Sequence, residues 1–481
     1  MRNDAARTVA GALACALLIA ACDERPLPPA PIDGLRAAAP AGGGVFKFVN
    51  YELGALPGTV CPGAAGCTNI AAEPQIRADA TGTFYVGSEL GVGSGTLAWK
   101  STDGGLHYTA LTSPNQLSQS AGGVGPGGGD VDLATAPAPN ASGVPNLYVA
   151  SLSLANVTVS TSADGGATWS KDVLSATIPG DDREWIAADQ ATKVCVSYHD
   201  VATFNIDVSC SFDAGASFTQ FGTAIDAPHA YLLNDNATGN LAIDPNSHVI
   251  YQVFSGIADA FEAAVPSSFH AVYIAVSEDG GNTFTDRTVY VNPNTSASYG
   301  HQFTNVSVDR AGTVYVVYTD NHNVYYSFST DHGETFTGPI QVNQGPSATA
   351  IMPWSVACDP GQLNIVWYGT SFYDGTTVPD NYPASAAWYV YLAQNKNAAL
   401  AGSSFTQVAA TPIIHFGGVC ESGVTCSGNR DLFDDFGIAV NPGTGLASIV
   451  YSDDQPGNTG SDDHTAIATQ TGGGKICSGS P

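Results

Sequence analysis

The chain reads GDDREW around Arg183, so that Asp182 and Glu184 flank a single arginine. A second group of the same residue types, Arg430 followed by Asp435, occurs late in the chain. Neighbouring carboxylates can exchange protons in general acid–base catalysis, and a guanidinium can hold a ligand carboxylate or sulfate through two parallel hydrogen bonds. These residue types predict a site for a polar, oxygen-rich ligand.

A third group, Asp331, His332 and Glu334 in STDHGETF, has the residue types of a metal or acid–base site. Its pattern, S-x-D-x-G-x-x-aromatic, occurs five times, but His332 and Glu334 do not recur. A metal site is needed once, whereas a turn is needed in every repeat, so we interpret the pattern as structural. The aspartates at its third position are Asp103, Asp164, Asp213, Asp279 and Asp331.

The elements that carry these groups are short β-branched and aromatic runs, bounded by Gly, Asp, Asn and Pro, with no sustained helical period. Seven copies of an inner-strand segment can be aligned, from EPQIRAD at 73–79 to DFGIAVN at 435–441. A second strand follows each copy, and a third strand leads into the turn pattern. This arrangement predicts an all-β fold, a β-propeller of four-stranded blades.

Seven blades are expected, and a six-bladed ring with one irregular insertion is the alternative. The seventh repeat has no outer strand of its own, and VFKFVNY at 45–51 precedes the first repeat unassigned. We expect this segment to pair with the seventh sheet, because that pairing closes the ring and leaves no bare sheet edge. The fifth column of the inner strands is Ala or Ser in six copies, as expected where strands crowd around an axis.

The five turn patterns resemble the Asp-box (BNR) repeats of bacterial sialidases and related propellers, over about residues 73–470. The resemblance implies that the boxes are structural and lie away from the active face. It also implies three arginines that hold the substrate carboxylate, an aspartate acid/base and a Tyr–Glu nucleophile pair. Only Arg183 and Arg430 are well placed for such a clamp, and Ala72 stands where the first arginine is expected.

The face where inner strands begin is the expected ligand face, since the loops that enter the first strands and those that join second to third strands meet there. Acids and aromatics are concentrated in these loops. We predict Asp182, Glu184 and Asp435 as catalytic candidates. The predicted substrate-binding residues are Arg183, Trp185, His301, Trp354, Tyr373 and Arg430.

Two classes of function fit these features. One is a non-catalytic surface propeller that engages glycans or proteins, such as a cell-surface glycoprotein, through its acidic, aromatic-rich face. The other is a glycoside hydrolase related to the sialidases. Whether the protein is an enzyme stays open at this point, and so does the identity of the ligand. Arg183 is the residue that we expect to grip an anionic ligand group in either case.

The composition restricts the partners. The formal charge is −28 with only 15 Lys and Arg, so a nucleic-acid partner is not expected, because phosphate neutralisation needs clustered basic residues. We expect a monomer without a cofactor. Calcium is the cation that acidic oxygens would hold, and the candidate ligands are the pairs Asp181–Asp182, Asp434–Asp435 and Asp453–Asp454. No metal site is assigned from the sequence.

The N-terminus predicts export. Residues 1–21 combine a weakly basic start with a short apolar run, and LIAAC at 18–22 resembles the bacterial lipobox, which makes Cys22 the predicted lipidation site. Residues 22–44 are rich in Pro, Ala and Gly and read as a flexible tether, and residues 45–481 as the propeller. We therefore expect a lipoprotein of the bacterial cell envelope, periplasmic or at the cell surface, that touches the membrane only through its lipid.

Export permits disulfides. Short spacing predicts the pairs Cys61–Cys67 and Cys420–Cys426, and adjacent predicted strands favour Cys195–Cys210. Cys358 and Cys477 are left over, and their pairing would tie the C-terminus to the body.

Overall fold

The computed structural model shows an all-β chain. The predictions for residues 1–44, including Cys22, and the predicted pair Cys61–Cys67 lie outside the described residues. The described residues are 46–59, 69–115, 127–153, 156–170, 173–174, 180–454 and 463–479.

Within these residues the strands form seven antiparallel sheets arranged as the blades of a propeller. The first strand in the chain is β1 (Lys47–Glu52). From axis to rim, blade one consists of β2 (Ala72–Ala78), β3 (Phe84–Glu89), β4 (Thr96–Ser101) and β5 (Thr109–Ala110). Blade two consists of β6 (Val131–Pro139), β7 (Pro145–Ser153), β8 (Asn156–Ser162) and β9 (Val173–Leu174). Blade three consists of β10 (Asp181–Asp189), β11 (Lys193–Asp200), β12 (Asn205–Ser211) and β13 (Gln220–Thr223).

Blades four to seven repeat this order, and blade six carries one extra short strand. Blade four consists of β14 (Asn236–Ile243), β15 (Ile250–Gly256), β16 (Ala271–Ser277) and β17 (Thr285–Val291), and blade five of β18 (Asn305–Val308), β19 (Val314–Thr319), β20 (Val324–Ser329) and β21 (Thr337–Gln341). Blade six consists of β22 (Thr349–Ala357), β23 (Leu363–Thr370), β24 (Ala387–Asn395), β25 (Thr406–Ala409) and the extra β26 (His415–Phe416). Blade seven contains β27 (Gly437–Val440), β28 (Ala447–Asp453) and β29 (His464–Gly472). Short 3-10 turns span Ala227–Leu232, Glu262–Ala264, Pro379–Asn381 and Gly423–Thr425.

The ring closes as expected. β1 pairs antiparallel with β29, so the strand before the first blade completes the seventh sheet. The closing strand covers Lys47–Glu52, one residue beyond the predicted end. The prediction of seven blades is thereby confirmed, and the six-bladed alternative is not adopted.

The second strands are buried on both faces because each blade packs against a neighbour on either side. All six residues of β19, VYVVYT, are buried, and so are all eight of β23. Such strands read as continuous apolar runs instead of alternating patterns. Trp367 and Trp388 are fully buried in this packing. No helix in the described part of the chain is long and apolar enough to span a membrane.

The small fifth column of the inner strands lines an axial cavity of about 290 Å³. The small side chains of alanine and serine leave this space open, whereas larger side chains from all seven strands would collide at the axis. Arg77 is the exception in the column, and its Nη2 lies 2.5 Å from Asp132 of the second blade. The column residues that line the cavity are Arg77, Ala134, Ala187, Ala242, Ser307, Ala357 and Ala439.

The five S-x-D-x-G turns connect third to outer strands and share one hydrogen-bond pattern. In the fifth turn, Ser329 Oγ donates to Asp331 Oδ1 over 2.6 Å, and the N–H of Thr335 donates to the same oxygen over 3.0 Å. The N–H of Gly333 donates to Ser329 Oγ, and Gly333 has a φ of 87°, a left-handed backbone conformation that would strain a residue other than glycine. The same bonds surround Asp103, Asp164, Asp213 and Asp279.

Three of the expected disulfides are present in the described residues. Cys195 and Cys210 join neighbouring strands of blade three, and Cys420–Cys426 closes a short loop that enters blade seven. Cys358–Cys477 ties the C-terminal segment to the end of the inner strand of blade six.

Candidate functional site

The first aligned position of each inner strand lies at the mouth of the propeller, the end of the axis where these strands begin. Because the seven strands surround one axis, residues that are far apart in sequence but equivalent in the repeat become neighbours. Arg183 pairs with three of its own repeat counterparts and stacks on a fourth. The seven positions are Glu73, Asp130, Arg183, Thr238, Phe303, Pro353 and Asp435.

The guanidinium of Arg183 is enclosed by carboxylates from three other blades. Its Nη1 lies 3.2 Å from Glu73 Oε2 and 3.4 Å from Asp130 Oδ1, and its Nη2 lies 2.7 Å from Asp435 Oδ2. The side chain of Arg183 is only 8% exposed. The acids that neutralise it are therefore not its sequence neighbours, although its own N–H donates to Asp182 Oδ1. Both terminal nitrogens of the arginine are engaged by the protein itself.

Two aromatic rings complete the surroundings of Arg183. Its Cζ lies 4.5 Å from the ring centre of Trp185 and 4.4 Å from that of Phe303. Trp185 in turn packs against Trp354, with ring centres 5.1 Å apart, and both indoles are buried. The two tryptophans predicted to bind substrate are therefore part of the packing around Arg183: Trp185 contacts the guanidinium, and Trp354 contacts Trp185.

A β-bulge aims Arg183 at the axis. The register of β10 against β11 shifts between Asp182 and Glu184, and Arg183 has a φ of 53°. Glu73 lies at a similar shift in blade one and has a φ of 47°. Left-handed backbone in residues other than glycine is uncommon and tends to occur where a side chain is redirected. At these two bulges the side chains of Arg183 and Glu73 meet each other.

Arg430 approaches the same group from the loop that enters blade seven. Its Nη2 lies 2.9 Å from Glu73 Oε1 and 2.6 Å from Asp434 Oδ2. Glu73 therefore bridges Arg430 and Arg183, one with each carboxylate oxygen, and is fully buried. The structure thus brings Arg183, Arg430 and a carboxylate together in one cluster.

Carboxylates outnumber arginines at this mouth. Burial and then the neighbouring acids raise the pKa of Glu89 to about 8. Burial also raises the pKa of Asp435 to about 6 against the opposing effect of Arg183, and it raises the pKa of Glu184, whose two oxygens accept no hydrogen bond from another residue. The acids around the two arginines are Glu73, Glu89, Asp130, Asp182, Glu184, Asp434 and Asp435.

A second polar group lies between blade five and the loop that enters blade seven. Asn321 Nδ2 donates to His301 Nδ1 over 2.9 Å and also to Glu421 Oε2. Glu421 Oε1 is buried and has no hydrogen-bond partner. Burial raises the pKa of Glu421 to about 8 and lowers the pKa of His301 to about 4. At neutral pH this group therefore contains a protonated carboxyl beside a neutral imidazole.

An aromatic surface adjoins this second group. The ring of Tyr373 stacks on that of His322, with centres 3.9 Å apart and planes inclined by 13°. His322 directly follows Asn321 in the chain, and Tyr373 comes from the loop between the second and third strands of blade six. Tyr373 is 46% exposed, so one stacked ring system faces solvent. Of the predicted aromatic binding residues, Tyr373 is the one with an exposed ring.

The predicted residues therefore occupy two adjoining regions. Asp182, Glu184, Asp435, Arg183, Trp185, Trp354 and Arg430 surround the axis, and His301 and Tyr373 lie on the side of blades five and six. Asp182 is exposed, whereas Glu184 and Asp435 are buried. The loop with Glu421 links the two regions, since Asp434 also raises the pKa of Glu421.

Four residues of the mouth were not singled out from the sequence: Glu73, Glu89, Asp130 and Glu421. Glu73 and Asp130 carried a usable signal, because they are repeat counterparts of Arg183 and opposite in charge. Glu89, at the end of β3, and Glu421, next to a disulfide cysteine, carried none that separates them from surface acids.

No aspartate of the three pairs considered for calcium belongs to a group of three close ligand atoms in the described residues. Asp181 lies opposite Asp200 on the neighbouring strand, Asp434 and Asp435 pair with arginines, and Asp454 Oδ2 lies 2.7 Å from His415 Nδ1. Among the described residues, two other groups bring three ligand atoms within 4.8 Å of one another: Glu73, Glu89 and Asp130, and Asp226, His229 and Asp286.

The sequence matches no protein-family model and no curated protein. Solved structures align along most of the chain. A protein of unknown function from Dyadobacter fermentans has a TM-score of 0.46 and 13% identity, with 89% of this chain and 98% of that chain covered. The α-L-arabinanase of Penicillium chrysogenum in complex with arabinobiose has a TM-score of 0.45 and 12% identity, with coverages of 88% and 98%. A Hadza microbial sialidase has a TM-score of 0.42 and 10% identity, with coverages of 84% and 66%.

At such TM-scores these similarities carry no conclusion about activity. The propeller itself rests on the strand pairing described above.

Proposed function

We propose that this protein is an exported propeller that binds a glycan, free or on a cell-surface glycoprotein, at its mouth. The observation that carries the proposal is the exposed Tyr373 ring, stacked on His322, beside the partly buried polar group of His301, Asn321 and Glu421. An exposed aromatic ring offers a flat apolar surface for the CH face of a sugar. A few fixed polar groups next to such a surface can orient a ligand.

The charge arrangement favours a neutral or amino sugar over an acidic one. Arg183 and Arg430 are both engaged by protein carboxylates, so neither offers a free guanidinium fork in this arrangement. Carboxylates in excess would repel an incoming sialic acid carboxylate. The grip of Arg183 on an anionic group, expected from the sequence, is thus replaced in the proposal by a positioning role: Arg183 holds the acids of the mouth in place.

A glycan array tests the proposal. Wild type should bind a restricted set of neutral or amino glycans, and Tyr373→Ala should reduce that binding at least tenfold while the melting temperature stays within about 2 °C. Phe221→Ala is the matched control, because Phe221 is also 46% exposed but lies on the outer strand of blade three. Equal binding by wild type and Tyr373→Ala, or loss in both variants, would contradict a stacking site at Tyr373.

A glycoside hydrolase is the second candidate function. The specific observation in its favour is that Glu89 and Glu421, each with a pKa of about 8, are protonated at neutral pH beside ionisable carboxyls. A protonated carboxyl is what a general acid needs to donate to a leaving glycosidic oxygen. Asp182, Glu184 and Asp435 remain the acids proposed from the sequence for the partner carboxylate.

A panel of fluorogenic glycosides distinguishes the two candidates. Turnover that is lost in Glu89→Gln or Glu421→Gln, but kept in the rim variant Glu334→Gln, would support an enzyme. Binding on the array without turnover of any glycoside would support the binding protein.

We also propose that Cys22 carries the lipid that anchors the protein, and that the protein acts as a monomer. Three disulfides in the described residues are typical of proteins outside the cytoplasm, which fits export. Cys22→Ala should leave uncleaved precursor or release soluble protein, measured by metabolic labelling with a fatty acid. Normal lipid labelling of that variant would rule Cys22 out.

A further inference from the structure

Away from the mouth, three metal-ligating side chains meet at the outer strands of blades three and four. Asp226 follows β13, and His229 lies in the 3-10 turn that Asp226 caps. Asp286 is the second residue of β17 in the next blade. His229 Nδ1 lies 2.7 Å from Asp226 Oδ1 and 3.6 Å from Asp286 Oδ2. One ligand atom from each of the three residues lies within 4.8 Å of the others.

The backbone fixes both carboxylates. The N–H of Asp226 donates to Asp286 Oδ2, and the N–H of Asp286 donates to Asp226 Oδ2, each over 3.0 Å. These reciprocal bonds join the two blades and leave little rotamer freedom to either acid. Metal sites are supported in the same way, by second-shell hydrogen bonds that orient the ligating oxygens. The group is therefore preorganised on strand and turn backbone and does not depend on flexible side chains.

One oxygen of this group is buried without a partner. The side chain of Asp286 is 0% exposed, and its Oδ1 accepts no hydrogen bond. Burial raises the pKa of Asp286 to about 7. A buried acceptor that finds no donor lowers the stability of the fold, so a native protein rarely keeps one without a reason. A cation bound by the Asp286 carboxylate through this oxygen as well as through Oδ2 would satisfy it.

From this geometry we propose that Asp226, His229 and Asp286 bind a divalent transition-metal ion, with zinc as the expected occupant. One imidazole nitrogen with two carboxylate oxygens, and a water in the fourth position, suits tetrahedral Zn²⁺ better than Ca²⁺, which prefers oxygen ligands alone. Ligand atoms about 2.0 Å from a tetrahedral ion are about 3.3 Å apart. The observed 2.7 Å and 3.6 Å lie on either side of that spacing, so shifts of a few tenths of an ångström suffice.

Metal binding changes where His229 carries its hydrogen. Its Nδ1 must offer a lone pair, so the hydrogen shared there with Asp226 leaves Nδ1 when the metal binds, and the neutral imidazole carries its hydrogen on Nε2. The ion would join the turn of blade three to the outer strand of blade four and would stabilise the contact between them.

Zinc binding to the full-length protein, purified without a histidine tag and treated with a chelator, tests the proposal. Equilibrium dialysis should give one tightly bound Zn²⁺ per chain, and His229→Gln and Asp286→Asn should each weaken binding at least tenfold. Co²⁺ in the same protein should show the visible absorption of a tetrahedral site, and this signal should vanish in His229→Gln.

Two matched variants serve as controls for the specificity of zinc binding. His248→Gln removes another half-exposed His–Asp pair, with Asp189, where Lys193 already supplies the positive charge, and it should bind zinc as wild type does. Glu89→Gln changes the carboxylate group of the mouth and should also leave zinc binding unchanged. Unaltered binding in His229→Gln, or loss in Glu89→Gln in its place, would overturn the proposal. If Asp286→Asn fails to fold, His229→Gln, at the partly exposed ligand, decides alone.

Discussion

The aspartates of the rim turns and the carboxyls of the mouth are the same residue types in opposite situations. Asp331 at the rim is exposed and accepts hydrogen bonds from Ser329 and Thr335, which lower its pKa to about 2. Asp435 at the mouth is 3% exposed, and burial raises its pKa to about 6 although Arg183 pairs with it. The rim acids are satisfied by their own turn, whereas the mouth acids depend on residues from other blades.

This difference separates architecture from a candidate site. A residue needed in every blade must find its partners within one blade, so its contacts are local and recur. A residue present once in the ring can depend on the whole ring, as Glu73 does when it bridges Arg183 and Arg430. Groups that are buried, shifted in pKa and incompletely partnered are the ones that tend to bind or react.

The largest predicted effect comes from removing the central arginine. Arg183→Ala leaves Glu73, Asp130 and Asp435 without their shared countercharge, and we expect a loss of about 3–5 kcal/mol in the free energy of unfolding. Urea denaturation at neutral pH measures it. Arg287→Ala, which breaks an exposed pair with Glu334 at the rim, should cost under about 1 kcal/mol.

Equal losses in the two variants would erase the distinction between mouth and rim. A stable Arg183→Ala protein that no longer binds its ligand would instead restore the recognition role expected from the sequence.

The second prediction uses pH. The folded-state pKa of Glu421, about 8, lies above its unfolded value, so the folded protein binds an extra proton between the two values. Its ionisation therefore destabilises the protein as pH rises from about 4.5 to about 8. Glu421→Gln should be more stable than wild type at pH 8 by about 2–4 kcal/mol and nearly equal to it at pH 5.

Rim aspartates should show the opposite dependence. The pKa of Asp331 is lowered, so its stabilising effect is present at neutral pH and is lost as pH falls through the range from about 4 to about 2. Urea denaturation of wild type, Glu421→Gln and Asp331→Ala across pH 2–9 measures how the stability contribution of each acid depends on pH. A stability difference between Glu421→Gln and wild type that does not change with pH would show that Glu421 is not a raised-pKa acid.

The third prediction concerns one turn at the rim. Asp331→Ala removes the acceptor of two side-chain and one backbone hydrogen bond in a solvent-exposed turn, and we expect a cost of about 1–2 kcal/mol. Ligand binding should not change. Glu334→Ala, three residues along in the same turn, should leave the stability close to that of wild type, because its ion pair with Arg287 is exposed to solvent.

The fold was accessible from the sequence because a repeat states the same structure several times. The alignment of inner strands predicted seven blades. Because the seventh repeat has no outer strand of its own, it also predicted that the segment before the first repeat, β1, would complete the seventh sheet. Burial on both faces of β23 left a continuous apolar run, so even single strands were recognisable.

The mouth was accessible only in part. Arg183, Arg430 and Asp435 were chosen from residue type and their place at strand starts, and they do meet. The alignment also contained Glu73 and Asp130 as counterparts of Arg183. Their contacts with Arg183 depend on how the seven blades close into a ring, and aligned sequences alone do not show which side chains then meet at the axis. Glu421 depends on how a disulfide loop crosses to Asn321, and nothing local in the sequence encodes that path.

The measurement that tests the central claim most directly is the carboxyl titration of mouth and rim acids in one protein. Carbon-13 NMR of labelled Glu and Asp carboxyls, assigned with Glu89→Gln, Glu421→Gln and Asp331→Asn, would give each pKa without knowledge of the ligand. The account predicts that Glu89 and Glu421 titrate near pH 8 and that Asp331 titrates near pH 2. Titration of Glu89 and Glu421 at ordinary values between about 4 and 5 would contradict it, because the mouth acids would then be solvated groups like any others.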